Sequence, residues 1–205
     1  MRIRVRLLPQ AFVLGALLAT VGCHVSVDKG KNGEDKNVRI DTPLGGLHVR
    51  SDQTSALDLG LPVYPGAQFV PSDDGNKSAD VHFGFGQFQL RIRVVEYQTP
   101  DDRDKVVTFY RNAMGRFGEV LSCDGNHPVG SPTITSEGLT CSDESKVQVH
   151  GNNFDHDDGF SLRAGSKHHM HILAIKNNAS PGTRFTLVEI QLPTGLEERA
   201  SKTSD

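Results

Sequence analysis

The chain is predicted to fold as an α+β domain, mainly antiparallel sheet with one covering helix at about residues 100–114. Three observations predict it. Residues 81–94 alternate apolar and polar side chains about Gly86-Gln87, the pattern of a tight β-hairpin. Residues 99–115 hold the one strong helical pattern after the N-terminal segment. The 205 residues include 21 glycines, 10 prolines and no tryptophan, which suits short strands joined by many turns.

Residues 1–22 read as a signal peptide. Arg2, Arg4 and Arg6 precede an apolar run of 12 residues, Ala11 to Gly22. As a helix that run would rise about 18 Å, short of the roughly 30 Å of bilayer hydrocarbon. An uncleaved membrane anchor is the competing reading. Thr20-Val21-Gly22-Cys23 resembles a bacterial lipobox, in which the cysteine is lipidated and the chain is cut before it. That resemblance implies a cell-envelope protein held at the membrane through Cys23. His24, rather than Asp, after the cysteine implies the outer membrane, facing the periplasm. The same Thr-x-Gly also suits an ordinary signal peptidase, which would release a soluble periplasmic or secreted product.

Three cysteines are present: Cys23, Cys123 and Cys141. With Cys23 lipidated, Cys123 and Cys141 are expected to form a disulfide in an oxidising compartment. A zinc site at these residues is disfavoured because no CxxC spacing occurs. Loss of three arginines with the signal takes the net charge from −3 to −6. So acidic a product lacks the basic footprint that binds nucleic acid.

Residues 23–37 contain DKGKNGEDKN and read as a flexible, solvated tether. Residues 38–50 form a small hairpin about Thr42-Pro43-Leu44-Gly45-Gly46, too short to stand alone. The main domain is assigned to 61–193. It opens with Pro65-Gly66, suited to the centre of a type II turn, and a strand from Gln68. A polar loop, 72–78, precedes the 81–94 hairpin.

In that hairpin the apolar parity flips from odd (Val81, Phe83, Phe85) to even (Phe88, Leu90, Ile92, Val94). A two-residue loop at Gly86-Gln87 accounts for the flip and pairs Phe85 with Phe88, Phe83 with Leu90 and Val81 with Ile92. On the opposite face it pairs Asp80 with Arg93, an expected exposed ion pair, and His82 with Arg91. Thr99 is expected to cap the helix, with Pro100 at its first position and Asp101-Asp102 complementing its dipole. Val106, Phe109, Tyr110 and Ala113 form its apolar stripe, with Val107 and Met114 at the margin and a stop at Gly115 or Gly118. Further strands are expected at 119–123, 147–149, 160–164 and 169–175. Residues 185–192 are apolar on both faces, as in a central strand. Residues 194–205 are a polar tail.

The Leu61 to Ala67 turn, the strand-rich middle and the Phe109-Tyr110 helix resemble a pattern found among uncharacterised bacterial lipoproteins. The resemblance spans roughly Leu61 to Cys123 and implies no activity, ligand or catalytic residue.

For chemistry, Lys167-His168-His169-Met170-His171 is the richest stretch. On a strand His169 and His171 share a face, a spacing that gives two ligands to Zn²⁺ or Cu²⁺. A third ligand is sought at His150, His156 or Asp157. Asn153 to Gly159 departs from a calcium loop, since its glycine is one place late and no Glu follows at the twelfth position. No nucleophile elbow, HExxH or phosphate loop occurs. Two functions are therefore expected: a non-catalytic envelope lipoprotein that binds envelope partners or has a structural role, or a metal-binding protein or metal-dependent enzyme built on His169 and His171.

Overall fold

The computed structural model describes residues 23–29, 35–51, 53–70, 78–142, 159–175 and 181–193. Their strands are β1 (His24–Lys29), β2 (Asp35–Thr42), β3 (Gly45–Ser51), β4 (Gln68–Phe69), β5 (Ser78–Phe85) and β6 (Phe88–Thr99). Beyond one α-helix, α1 (Arg103–Met114), come β7 (Leu121–Asp124), β8 (His127–Pro128), β9 (Phe160–Ser166), β10 (His169–Ile175) and β11 (Thr183–Gln191). All join one antiparallel sheet in the order β1-β2-β3-β5-β6-β11-β10-β9-β7-β8, with β4 beside the end of β6. The expected α+β class holds, with the sheet dominating.

The hairpin register follows the alternation. Phe85 pairs with Phe88, Phe83 with Leu90, Val81 with Ile92 and Asp80 with Arg93, and Gly86 takes the positive φ of +56° that the turn needs. Pro65-Gly66 also turns as expected. The Ala67 N–H donates to the Tyr64 carbonyl at 3.0 Å, and Gly66 has φ +75°. The central strand is β11, between β6 and β10.

Elsewhere the structure departs from the expectations. Residues 24–29, read as tether, form β1, because Val25 and Val27 alternate with polar residues and fit opposite Ile40 and Val38. The small hairpin, too short to stand alone, does pack on the rest: β3 pairs with β5 along seven residues, so β1–β3 extend the main sheet. Thr99 ends β6, paired with Thr183, and α1 starts at Arg103 with Asp102 as its extended N-cap residue. The sheet ladder outcompetes the helix for Thr99, whose hydroxyl instead accepts from the Asp101 N–H at 3.3 Å. After Gly115 the chain runs through a 3-10 turn, Gly115–Phe117, and Gly118 at φ +130° makes the stop. The expected strand at 147–149, His150, His156, Asp157, the signal and the polar tail lie outside the described residues.

One face of the sheet carries the main core. Val106, Tyr110 and Met114 of α1, with Leu59, Leu61 and Tyr64, pack on Val95, Tyr97, Phe185, Leu187, Leu173 and Leu162. Met114, placed at the margin by periodicity, is fully buried. On the opposite face Leu139 covers Met170, Ile172, Val188 and Ile190. Cys123 and Cys141 are joined by the expected disulfide, packed with Leu121. The bridge closes a loop of 17 residues. Replacing both cysteines by serine is expected to lower the unfolding free energy by about 3 kcal/mol, measured by urea denaturation. An unchanged midpoint would mean the loop is already constrained without the bond.

Candidate functional site

The face that carries α1 becomes polar beyond the helix. Cross-strand partners share a face, so the ladder lays out a transverse row. His171 pairs with Glu189, Glu189 with Arg93, Arg93 with Asp80 and Asp80 with Arg50. A second row, one pleat along, runs His169, Gln191, Arg91, His82, His48 and Arg39. At the β1–β3 end the rows border a polar cleft of about 430 Å³ that includes Asp28, Asn37, Arg39, His48 and Arg50.

The inner row is a chain of ion pairs. Arg93 Nη1 donates to Glu189 Oε2 at 2.7 Å and also reaches the Asp58 carbonyl. Asp80 is buried rather than exposed, and its principal partner is Arg91. Two bonds of 2.9 and 2.7 Å come from Arg91, whereas Arg93 stands 4.0 Å away. The directly opposed arginine is claimed by Glu189, so the diagonal arginine takes Asp80.

Burial pushes the Asp80 pKa upward. The Arg91 hydrogen bonds and charge, helped by Arg93 and Arg50, win and hold the carboxyl below the usual range. A carboxyl depressed in the fold adds stability that is present above its unfolded pKa of about 4 and lost as pH falls through the folded value. Urea unfolding at pH 6 and pH 3 is therefore expected to show a smaller acid loss for Asp80→Asn than for the parent. Equal losses would remove Asp80 from the acid response.

His169, His171 and Glu189 converge where the core ends. Their ligating atoms all lie within 4.8 Å of one another. His169 Nε2 is 2.9 Å from Glu189 Oε1, and the Gln191 amide donates to the same oxygen at 2.7 Å. His171 is only 2 % exposed. Its ring stacks on Phe117, with centroids 3.7 Å apart and planes at 10°, and Arg116 lies over the same Phe117. Burial, with His169 beside it, pushes the His171 pKa down to about 4 despite a hydrogen bond to the Leu59 backbone, so the ring is neutral at pH 7. Its Nδ1 is buried with no hydrogen-bond partner. The Glu189 carboxyl lies below its usual range although burial works against it, because His169, Gln191 and Arg93 favour the charged form.

Of the sequence-derived candidates, His169 and His171 come together as expected, while His150 lies outside the described residues. His168 falls in the two-residue turn with Lys167 rather than on a strand. Glu189 was missed. Its signal was a lone acid inside the apolar run Phe185 to Leu192, where a charge needs a partner. Cys23 is exposed immediately ahead of β1. No helix among the described residues is long and apolar enough to cross a membrane.

Compared with known proteins, the chain matches no family model, no curated sequence and no solved structure.

Proposed function

We propose that this chain is an exported bacterial envelope protein, anchored by lipid on Cys23, with a binding or structural role and no catalytic one. The observation that most favours this reading is the end of the sheet at which Cys23 stands. His24 pairs with Asp41, which places Cys23 beside the Pro43-Leu44 turn. That turn adjoins the Gly86-Gln87 turn, where the Gly86 N–H donates to the Leu44 carbonyl at 3.3 Å. Leu44 is 69 % exposed and Phe85 54 %, and Phe83 and Val25 are exposed behind them. Val25, Ile40, Leu47, Phe83 and Leu90 form an apolar row, on the sheet face opposite α1, whose residues belong to none of the buried clusters among the described residues.

A lipid on Cys23 brings this end against the bilayer, and Leu44 and Phe85 then enter the interface. A multiply acylated terminus anchors stably, because each buried methylene adds about 0.8 kcal/mol, and the apolar side chains at this end add to the same contact. The Cys123–Cys141 bridge suits an oxidising compartment. His24, rather than Asp, after Cys23 favours sorting to the outer membrane.

Mass spectrometry of the N-terminus after expression of the full chain in a bacterial host tests the anchor. Acylated Cys23 is expected, and an unmodified Cys23 would overturn it. Flotation with neutral phosphatidylcholine vesicles tests the apolar end. In a Cys23→Ser background, adding Leu44→Ser and Phe85→Ser is expected to reduce vesicle binding about tenfold, since each buried methylene contributes about 0.8 kcal/mol. Unchanged binding, or an apolar face occupied instead by a second copy of the chain, would remove the lipid contact.

A further inference from the structure

We propose that His169, His171 and Glu189 form a three-ligand site for Zn²⁺ with an open position toward solvent. The inference is independent of lipid attachment and rests on different residues.

Four features of the cluster carry it. The three side chains project from adjacent strands, two at i and i+2 on β10 and one directly opposite on β11, so the sheet fixes their relative positions. Their ligating atoms lie within 4.8 Å of one another. Tetrahedral zinc with bonds of about 2.0–2.1 Å separates its ligand atoms by about 3.3 Å, so closure needs roughly 1.5 Å at most. His169, whose side chain is half exposed, can supply that shift by rotating.

The second feature is the His171 ring. Phe117 clamps it, a hydrogen bond ties it to the Leu59 backbone, and Nδ1 is left buried without a partner. An imidazole held at one nitrogen and open at the other is the arrangement in which histidine ligates zinc. An unpartnered buried acceptor otherwise costs about 1–3 kcal/mol, which a metal bond would offset.

Third, Glu189 is prepared as a ligand through one oxygen. Arg93 holds Oε2 at 2.7 Å, leaving Oε1 directed at His169. Ligating carboxylates are characteristically oriented in this way by a hydrogen bond to the second oxygen. The positive charges of Arg93 and Arg116 oppose a dication, while Glu189 and, through Arg93, Asp80 favour it. Zinc entry replaces the His169–Glu189 hydrogen bond and the Gln191 bond to Oε1 with bonds to the metal.

The fourth is access. Glu189 and His171 are buried whereas His169 is exposed, so the set is closed on the core side and open on the solvent side. Three protein ligands with one free place is the arrangement of a zinc that binds water or an incoming ligand.

Two measurements on the untagged protein, expressed as the full chain and stripped with chelator, test the site. Calorimetric titration with Zn²⁺ is expected to give one equivalent per chain, and Co²⁺ is expected to give the visible spectrum of a tetrahedral nitrogen and oxygen site. His169→Ala, at a half-exposed position, is expected to weaken binding at least about tenfold and to abolish the Co²⁺ spectrum. Gln191→Ala removes the amide that competes for Oε1 and takes away no ligand, so it is expected to bind at least as tightly as the parent. Far-UV circular dichroism confirms that each variant is folded. Substoichiometric binding, or Zn²⁺ affinity unchanged by His169→Ala, would overturn the site and assign any bound metal to other histidines.

Discussion

Replacing Phe185 by alanine is expected to lower the unfolding free energy by about 3–5 kcal/mol, the largest loss from any single core truncation in this chain. Phe185 is 1 % exposed and lies on β11, the strand on which both halves of the sheet depend. Its ring meets Tyr97 at 5.7 Å, Tyr110 at 5.5 Å and Tyr64 at 6.2 Å between centroids. Those three tyrosines come from β6, from α1 and from the segment before β4. Each spends its hydroxyl outside the aromatic cluster. Tyr97 accepts from the Ala56 N–H at 3.1 Å, Tyr110 donates to the Pro62 carbonyl at 3.2 Å, and Tyr64 donates to Asp101 at 2.9 Å. The rings are thereby fixed at both ends and cannot collapse into the space a lost phenyl would leave. Limited relaxation puts such a site at the upper end of the truncation range. Phe185→Leu, which keeps most of the volume, is expected to lose less than half as much. Equal losses in the two variants, read from urea midpoints, would show that ring contacts rather than cavity volume set the stability here.

The sequence was most readable where one face of a strand pair is apolar and the connection is two residues long. The register of β5 against β6 could be written down from parity and the two-residue turn, because a one-residue slip would put the two strands' apolar sets on opposite faces. Parity sets no register for β9 and β10. β10 carries apolar residues on both faces, so a slip of β9 along it leaves the pattern nearly unchanged. β1 was hidden by composition. Val25 and Val27 are only two apolar residues within a charged run, and what recruits them is the apolar row that β2 and β3 already present. Two of the three residues of the candidate site were legible from strand periodicity. His169 and His171 share a face by the two-residue period, whereas Glu189 joins them through β10–β11 pairing across 18 residues of sequence. Nothing in the apolar pattern of β11 states that register. Asp80 likewise has Arg93 opposite it by register, yet it hydrogen-bonds Arg91, because Glu189 competes for the nearer arginine.

Loss of Glu189 as a charge is expected to be nearly as damaging as loss of Phe185, for a different reason. The Glu189 side chain is 5 % exposed and that of Arg93 15 %, so both have largely left water. Glu189→Ala leaves the Arg93 guanidinium facing a cavity, and removing one member of a buried pair typically costs about 3–5 kcal/mol. Asp80, 4.0 Å from Arg93 on its other side, compensates part of the charge and places the expected loss near the lower end, about 3 kcal/mol. Replacing both partners, Glu189→Leu with Arg93→Met, removes the stranded charge and exchanges the pair for apolar volume beside Val95 and Leu187. That double variant is expected to recover most of the lost stability, because the penalty of a broken buried pair lies in the survivor. A double variant no more stable than Glu189→Ala would locate the energy in the Glu189 contacts to His169 and Gln191 instead. The two results separate a row of ion pairs that organises the sheet from a carboxylate held chiefly for its histidine.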